Sequence, residues 1–321
     1  MQTFPDEIRF GIHAGPQNVT YADYVKLWKT AETLGYDWAS VFDHFMPIQA
    51  DPSGTCLEGL TLLAGLAAQT SRIRCGILVV GNTYRHPAVL ANIAATIDHI
   101  SGGRLELGVG AAWYQLEHQQ YGIPFHTTGR RIRMLSETAK ILKGLWTQPR
   151  FTFKGQFYTL NDAFCEPKPV QKPHIPLWIG GAGEQLTLRV VAESADGWNT
   201  FFIPLSDYQR KLDVLSRYCK EVGRRPSEIR KSLVVQAMVR ESEAEVQELT
   251  QQVGTDLRTL LQRAIIGTPE QCIQQLLPYT KMGVSDFIIG ARAPADIVGL
   301  ELVAKRVAPV VKREGKSLLP V

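Results

Sequence analysis

The chain has 321 residues, with 35 lysines and arginines against 31 aspartates and glutamates, a formal charge of +4. At 45% hydrophobic and 21% charged it has ample material for a large core, which excludes a chain disordered over most of its length. So small a charge excess leaves no footprint for nucleic acid, and the most apolar run, Cys75–Gly81, is far short of the ~20 residues that span a bilayer.

Taken in order, Arg9–His13 reads as a short strand, followed by a helix over Tyr21–Leu34, where Tyr24, Leu27, Trp28, Ala31 and Leu34 recur at helical spacing. Gly35 ends that helix. Trp38–Asp43 is the next strand and Leu57–Gln69 the next helix. Ile73–Val80, apolar on both faces, suits a strand covered on both sides. Helix Ala88–Ile100 then turns at Gly102-Gly103 into strand Arg104–Val109. Helix Gly129–Trp146, strand Leu177–Ile179, helix Glu184–Ser194 and strand Gly197–Phe201 follow. Helix Ser206–Val222, strand Ser232–Val239, helix Pro269–Met282, strand Asp286–Ile289 and a helix from Asp296 complete the series.

Eight strands alternating with helices imply parallel pairing through right-handed crossovers. The expected fold is α/β, one (β/α)8 TIM barrel over residues 1–321. Three stretches exceed a minimal barrel. Asp51–Cys56 and Tyr114–Thr128 are insertions after strands 2 and 4, on the face where barrel enzymes carry their active sites. The third, Pro149–Pro176, carries an FxFKGQFY run that reads as a hairpin insertion before strand 5, turning at Lys154-Gly155.

Chemistry is sought at the strand ends. Asp43-His44 ends strand 2; a histidine there can exchange a proton near neutral pH, and the adjacent carboxylate can orient it or contact a cofactor. His13 ends strand 1, but without a His-x-His pair or further Asp/His sets no metal site is expected. Gly108-Val-Gly-Ala-Ala-Trp113 is a close-approach loop after strand 4, with Trp113 able to stack on a flat ligand. Gly180-Gly-Ala-Gly-Glu184 leaves strand 5 and opens a helix, so free amides could converge on an anion, while a capping glycine turn explains it equally well. Strand alternation leaves the direction of Glu106 open, and with Glu117 it forms no visible glycosidase pair. The five cysteines (Cys56, Cys75, Cys165, Cys219, Cys272) form no CxxC pair, a pattern of reduced thiols. No signal-peptide pattern opens the chain, and a cytoplasmic protein is expected.

The segments SVFDHF (Ser40–Phe45), GILVVGNTYRHPAVLAN (Gly76–Asn92), SGGRLELGVGAAWYQLEHQQYGIPF (Ser101–Phe125) and WIGGAGEQLTLRVVAESADGWN (Trp178–Asn199) resemble the luciferase-like oxidoreductases, above all the branch that uses the deazaflavin coenzyme F420. The resemblance implies a flavin-type ring at the barrel mouth, beside Asp43 and His44, with a cis peptide at Leu78–Val79 behind it. It implies a pocket lined by Gly110, Ala111, Ala112 and Trp113, and a phosphate on Gly181, Ala182, Gly183, Glu184 and Thr187. The sugar-phosphate dehydrogenases of the family carry a glutamate acid where this chain has Trp113, which leaves His44 as the proton donor or acceptor. The implied reaction is hydride transfer between F420 and a small organic substrate. The alternative is an FMN-dependent monooxygenase served by a separate flavin reductase. A long anionic coenzyme tail would need basic residues, for which Arg130, Arg131 and Arg133 are candidates unless they form a solvated helix face. Relatives are commonly homodimers, with the helices behind strands 2–4 as the natural interface.

Overall fold

The computed structural model describes residues 7–48, 50–253 and 261–319. Parallel strands β1 (Arg9–His13), β2 (Trp38–Val41), β3 (Arg74–Gly81) and β4 (Leu105–Gly110) pair in chain order. The ring continues through β7 (Leu177–Gly180), β8 (Gly197–Phe201) and β9 (Arg230–Val239) to β11 (Asp286–Gly290). Pairing of β11 with β1 closes it into an eight-stranded barrel surrounded by helices. The expected hairpin is β5 (Phe151–Lys154) with β6 (Thr159–Ala163), paired antiparallel. Its tip is fastened to the helix Thr128–Thr147 by the Glu137 carboxylate, which accepts the amides of Gln156, Phe157 and Tyr158 at 2.6, 3.1 and 3.1 Å.

Some elements lie where none was expected. Strand β10 (Ala264–Gly267) pairs with the upper half of β9, beyond the reach of β11, and a helix spans Glu243–Val253. A run of only four apolar residues is too short for periodicity to register. Boundaries elsewhere move by physical causes that can be named. The second barrel helix starts at Gly59 because the Glu58 carboxylate caps the amides of Leu60 and Thr61. Strand β2 stops at Val41, and Asp43 leaves it to take the Gly81 amide and Arg85.

The inside of the barrel is layered. At the N-terminal floor, Arg9 donates to Glu106 at 2.5 and 3.1 Å and to Asp286 at 2.6 Å, and Arg74 reaches Glu106 at 2.5 Å. Glu106 therefore points inward, and it serves the fold rather than the mouth. Above this floor Trp38 and Trp178 stack at 5.5 Å, packed with Leu78, Val234 and Ile288. Glycines face these rings: a Cβ on Gly11 would lie 2.4 Å from Trp38, and one on Gly197 2.3 Å from Trp178. The stacked tryptophans fill the barrel interior above the floor.

Candidate active site

His44 follows β2 at the C-terminal mouth and is nearly buried. Its Nδ1 lies 2.6 Å from Oε1 of Glu117, whose other oxygen accepts the Phe45 amide at 2.9 Å. The Tyr84 hydroxyl also donates to Glu117 Oε1. Burial opposes ionisation of Glu117, but His44, the Phe45 amide and Tyr84 outweigh it and hold the carboxyl below its usual range. Phe42, Trp113 and Tyr114 surround the imidazole edge to face at 5.1, 5.7 and 5.9 Å. The Nε2 atom has no hydrogen-bond partner among the described residues.

Glu117 is the residue that sequence reasoning missed in this role. It sits on the short helix Gln115–Gln120, inside the stretch read as an insertion loop. QLEHQQ has no apolar stripe and no side-chain cap, so only tertiary contacts hold it. The neighbouring His118 supplies one of them, through Nε2 to Thr83 Oγ1 at 2.8 Å, while its Nδ1 donates to the carbonyl of Tyr114, the residue that opens the same helix, at 2.7 Å. Spacing could not reveal a pair 73 residues apart.

Asp43 does not orient His44. Its carboxylate accepts the Gly81 amide at 3.1 Å and the two Arg85 nitrogens at 2.7 and 2.9 Å, and Arg85 also bridges to Glu58. Burial drives the Asp43 carboxyl above its usual range, against the pull of Arg85. Asp43 thus ties the end of β2 to the loop after β3.

The Leu78–Val79 peptide bond is cis. Val79 is half-buried, and its side chain fills the space above three glycines of the neighbouring strands. A Cβ on Gly108, Gly110 or Gly180 would come within 2.8, 2.6 and 2.7 Å of its methyl groups. Gly110 and Gly180 are thus explained by close packing on Val79, and Gly108 first by the Ile77 carbonyl at 2.5 Å. Gly180→Ala is expected to destabilise the fold by about 1–3 kcal/mol, and Val79→Ala in the same chain to recover much of it. Urea unfolding of the two single variants and the double variant measures the coupling.

In the loop beyond β4, Ala112 takes the left-handed conformation at φ 56°, and Trp113 is 59% exposed beside His44. After β7, Gly181 has φ 117°, and the helix begins only at Thr187, three residues later than the sequence suggested. Trp198 Nε1 donates to the Gly181 carbonyl at 2.8 Å and Lys211 to that of Ala182 at 2.9 Å. The carbonyls are thereby engaged, while the amides of Ala182, Gly183 and Glu184 have no acceptor among the described residues. A Cβ on Gly183 would crowd Thr187 Oγ1 at 3.0 Å. Glu184 is paired with Lys211 and Arg210, each at 3.2 Å, so its charge does not stand alone at the turn. Of the three basic residues considered for a coenzyme tail, Arg131 is scaffold. It donates to the carbonyls of Ala111 and His126 and covers the Phe125 ring at 4.1 Å.

The sequence profile of the luciferase-like monooxygenases matches residues 4–262. The chain belongs to this family. Among curated relatives, an uncharacterized protein of Mycobacterium tuberculosis is 41% identical over 144 residues, 45% of this chain and 50% of the relative. An F420-dependent glucose-6-phosphate dehydrogenase of Microbacterium testaceum is 31% identical over 194 residues, 60% of this chain and 56% of the relative. An FMNH(2)-dependent dimethylsulfone monooxygenase of Pseudomonas putida is 33% identical over 174 residues, covering 54% and 46%. The chain spans about half the length of these relatives. The coenzyme F420 dependent tetrahydromethanopterin reductase of Methanopyrus kandleri shares the fold, with a TM-score of 0.80 at 20% identity over 95% of this chain and 99% of the other.

Proposed function

We propose that this luciferase-like protein is an F420-dependent oxidoreductase that moves a hydride between the deazaflavin and a small organic substrate. The observation that carries this reading is His44, a proton-exchanging ring at the barrel mouth whose Nδ1 is engaged and whose Nε2 is unpartnered among the described residues. Hydride loss from a carbon bearing a hydroxyl releases a proton, and a nearby imidazole nitrogen takes it; reduction runs the same transfer backwards.

The residues around the mouth fit such a coenzyme. The free amides of Ala182, Gly183 and Glu184, with the Thr187 hydroxyl, offer a cradle for a phosphate that a side chain on Gly183 would crowd. Leu78 and Val79 would back the ring, Gly110, Ala111, Ala112 and Trp113 would line its pocket, and Asp43 braces this edge through Arg85. When bound, F420 supplies a carbon that gives or accepts a hydride and reacts poorly with dioxygen. The exposed Trp113 ring lies beside His44; the resemblance puts it in place of the sugar-phosphate dehydrogenases' acid, so we do not tie the substrate to that class. A second copy of the chain is the proposed partner.

The Pseudomonas putida relative favours a second reading, an FMN-dependent monooxygenase supplied by a reductase. Titration of the purified protein with F420 and with FMN, followed by fluorescence, separates the two. Saturable F420 binding is expected; tight FMN binding with no measurable F420 binding would sink the first reading.

A further inference from the structure

We infer that Glu117 is the positioning residue for the proton group, holding His44 in one ring orientation and one tautomer, with Nδ1 protonated and Nε2 as the exchanging atom. This rests on the reading of His44 above and adds the device that makes the histidine competent. An ionised carboxylate has no proton to give, so the hydrogen on the 2.6 Å bond between Glu117 and His44 belongs to Nδ1. In the neutral ring that assignment leaves the lone pair on Nε2.

The carboxylate itself cannot turn away. Its two oxygens are held by the Phe45 amide and by the Tyr84 hydroxyl, and the residue is fully buried. Its helix is fastened through the adjacent His118 to Thr83. The backbone of His44 is gripped as well, since the Cys56 thiol lies 3.4 Å from its carbonyl. Burial, then the charges of Glu117 and Asp43, push that thiol up to about 12, so it remains a neutral donor. When Nε2 takes a proton, the imidazolium faces an anion across the same bond, which compensates the new charge without rearrangement. Asp43, the sequence neighbour, is committed to Gly81 and Arg85 and cannot do this.

The test is nitrogen-resolved NMR of protein labelled in its histidines, with His44→Gln used to assign the His44 signals. The wild type should show His44 protonated at Nδ1 and bare at Nε2 in its neutral form. Glu117→Gln should give mixed tautomers, and Tyr84→Phe should keep the wild-type pattern. Coenzyme affinity should stay within about threefold in Glu117→Gln while turnover falls by about 10²-fold or more, as expected when a catalytic imidazole loses its tautomer control. A wild-type His44 protonated at Nε2 overturns the proposal, as does an unchanged tautomer in Glu117→Gln. Should that variant fail to fold, the wild-type spectrum still decides, because protonation at Nδ1 is required and protonation at Nε2 overturns the proposal. Unchanged turnover in His44→Gln would instead overturn the proton role of His44, a failure distinct from that of its orientation.

Discussion

Replacing His44 with alanine is expected to slow turnover by about 10²- to 10⁴-fold while leaving coenzyme affinity within about a factor of three. The separation follows from where the ring sits. His44 is enclosed by Phe42, Trp113 and Tyr114 and anchored on Glu117, whereas the proposed phosphate turn at Gly181–Glu184 belongs to another strand of the barrel. Neither His118, hydrogen-bonded at both ring nitrogens, nor His13 is placed to substitute. His13 ends β1 and hydrogen-bonds Ser40, and burial followed by the charge of Arg292 lowers its pKa to about 4. It is therefore a neutral ring near pH 7 and a poor proton store. The measurement is steady-state oxidation or reduction of F420 against alcohols, ketones and sugar phosphates, using whichever substrate the wild type accepts. Full activity of the alanine variant would remove His44 from the reaction.

The second large effect concerns the barrel floor. Glu106→Gln is expected to cost about 3–5 kcal/mol of stability, the range for breaking a buried ion pair by removing one partner. Glu106 is completely buried, receives Arg9 and Arg74, and accepts Trp178 Nε1 at 2.7 Å. The amide keeps the shape but leaves cationic groups facing a neutral one. Burial raises the Glu106 pKa, yet Arg9 and Arg74 outweigh it and hold the group at about 2, against an ordinary 4.5. Because the folded value lies below the unfolded one, this contribution is complete above pH 4.5 and disappears as pH falls through about 2. Denaturant unfolding from pH 7 down to pH 2 should show that loss in the wild type and a flatter dependence in Glu106→Gln. The floor lies below the tryptophan plug, so coenzyme affinity of the folded variant should be unchanged.

Much of the barrel was legible because each strand is covered on both faces and therefore spells an apolar run, with a helical period behind it. The hairpin in the Pro149–Pro176 insertion was legible too, though the turn lies at Gly155–Tyr158 and the second strand is Thr159–Ala163, beyond the aromatic run. The helix Gln115–Gln120 and strand β10 were not, because neither carries a periodicity of its own. Likewise, Glu106 could not be aimed from alternation alone. Closure of the barrel decides that it faces inward, toward Arg9 on a strand 97 residues away.

The division is clearest at Asp43-His44. The sequence alone determined that a histidine stands just past a strand end, where a parallel barrel opens to solvent. Which carboxylate serves the histidine was decided only in three dimensions. The adjacent Asp43 is captured by Arg85, and the distant Glu117 is carried to the imidazole by the loop after β4. Beyond the end of β2 the two neighbours part, Asp43 toward the loop after β3 and His44 toward the short helix after β4. Chain order therefore marks where the chemistry lies, and barrel closure chooses its partners.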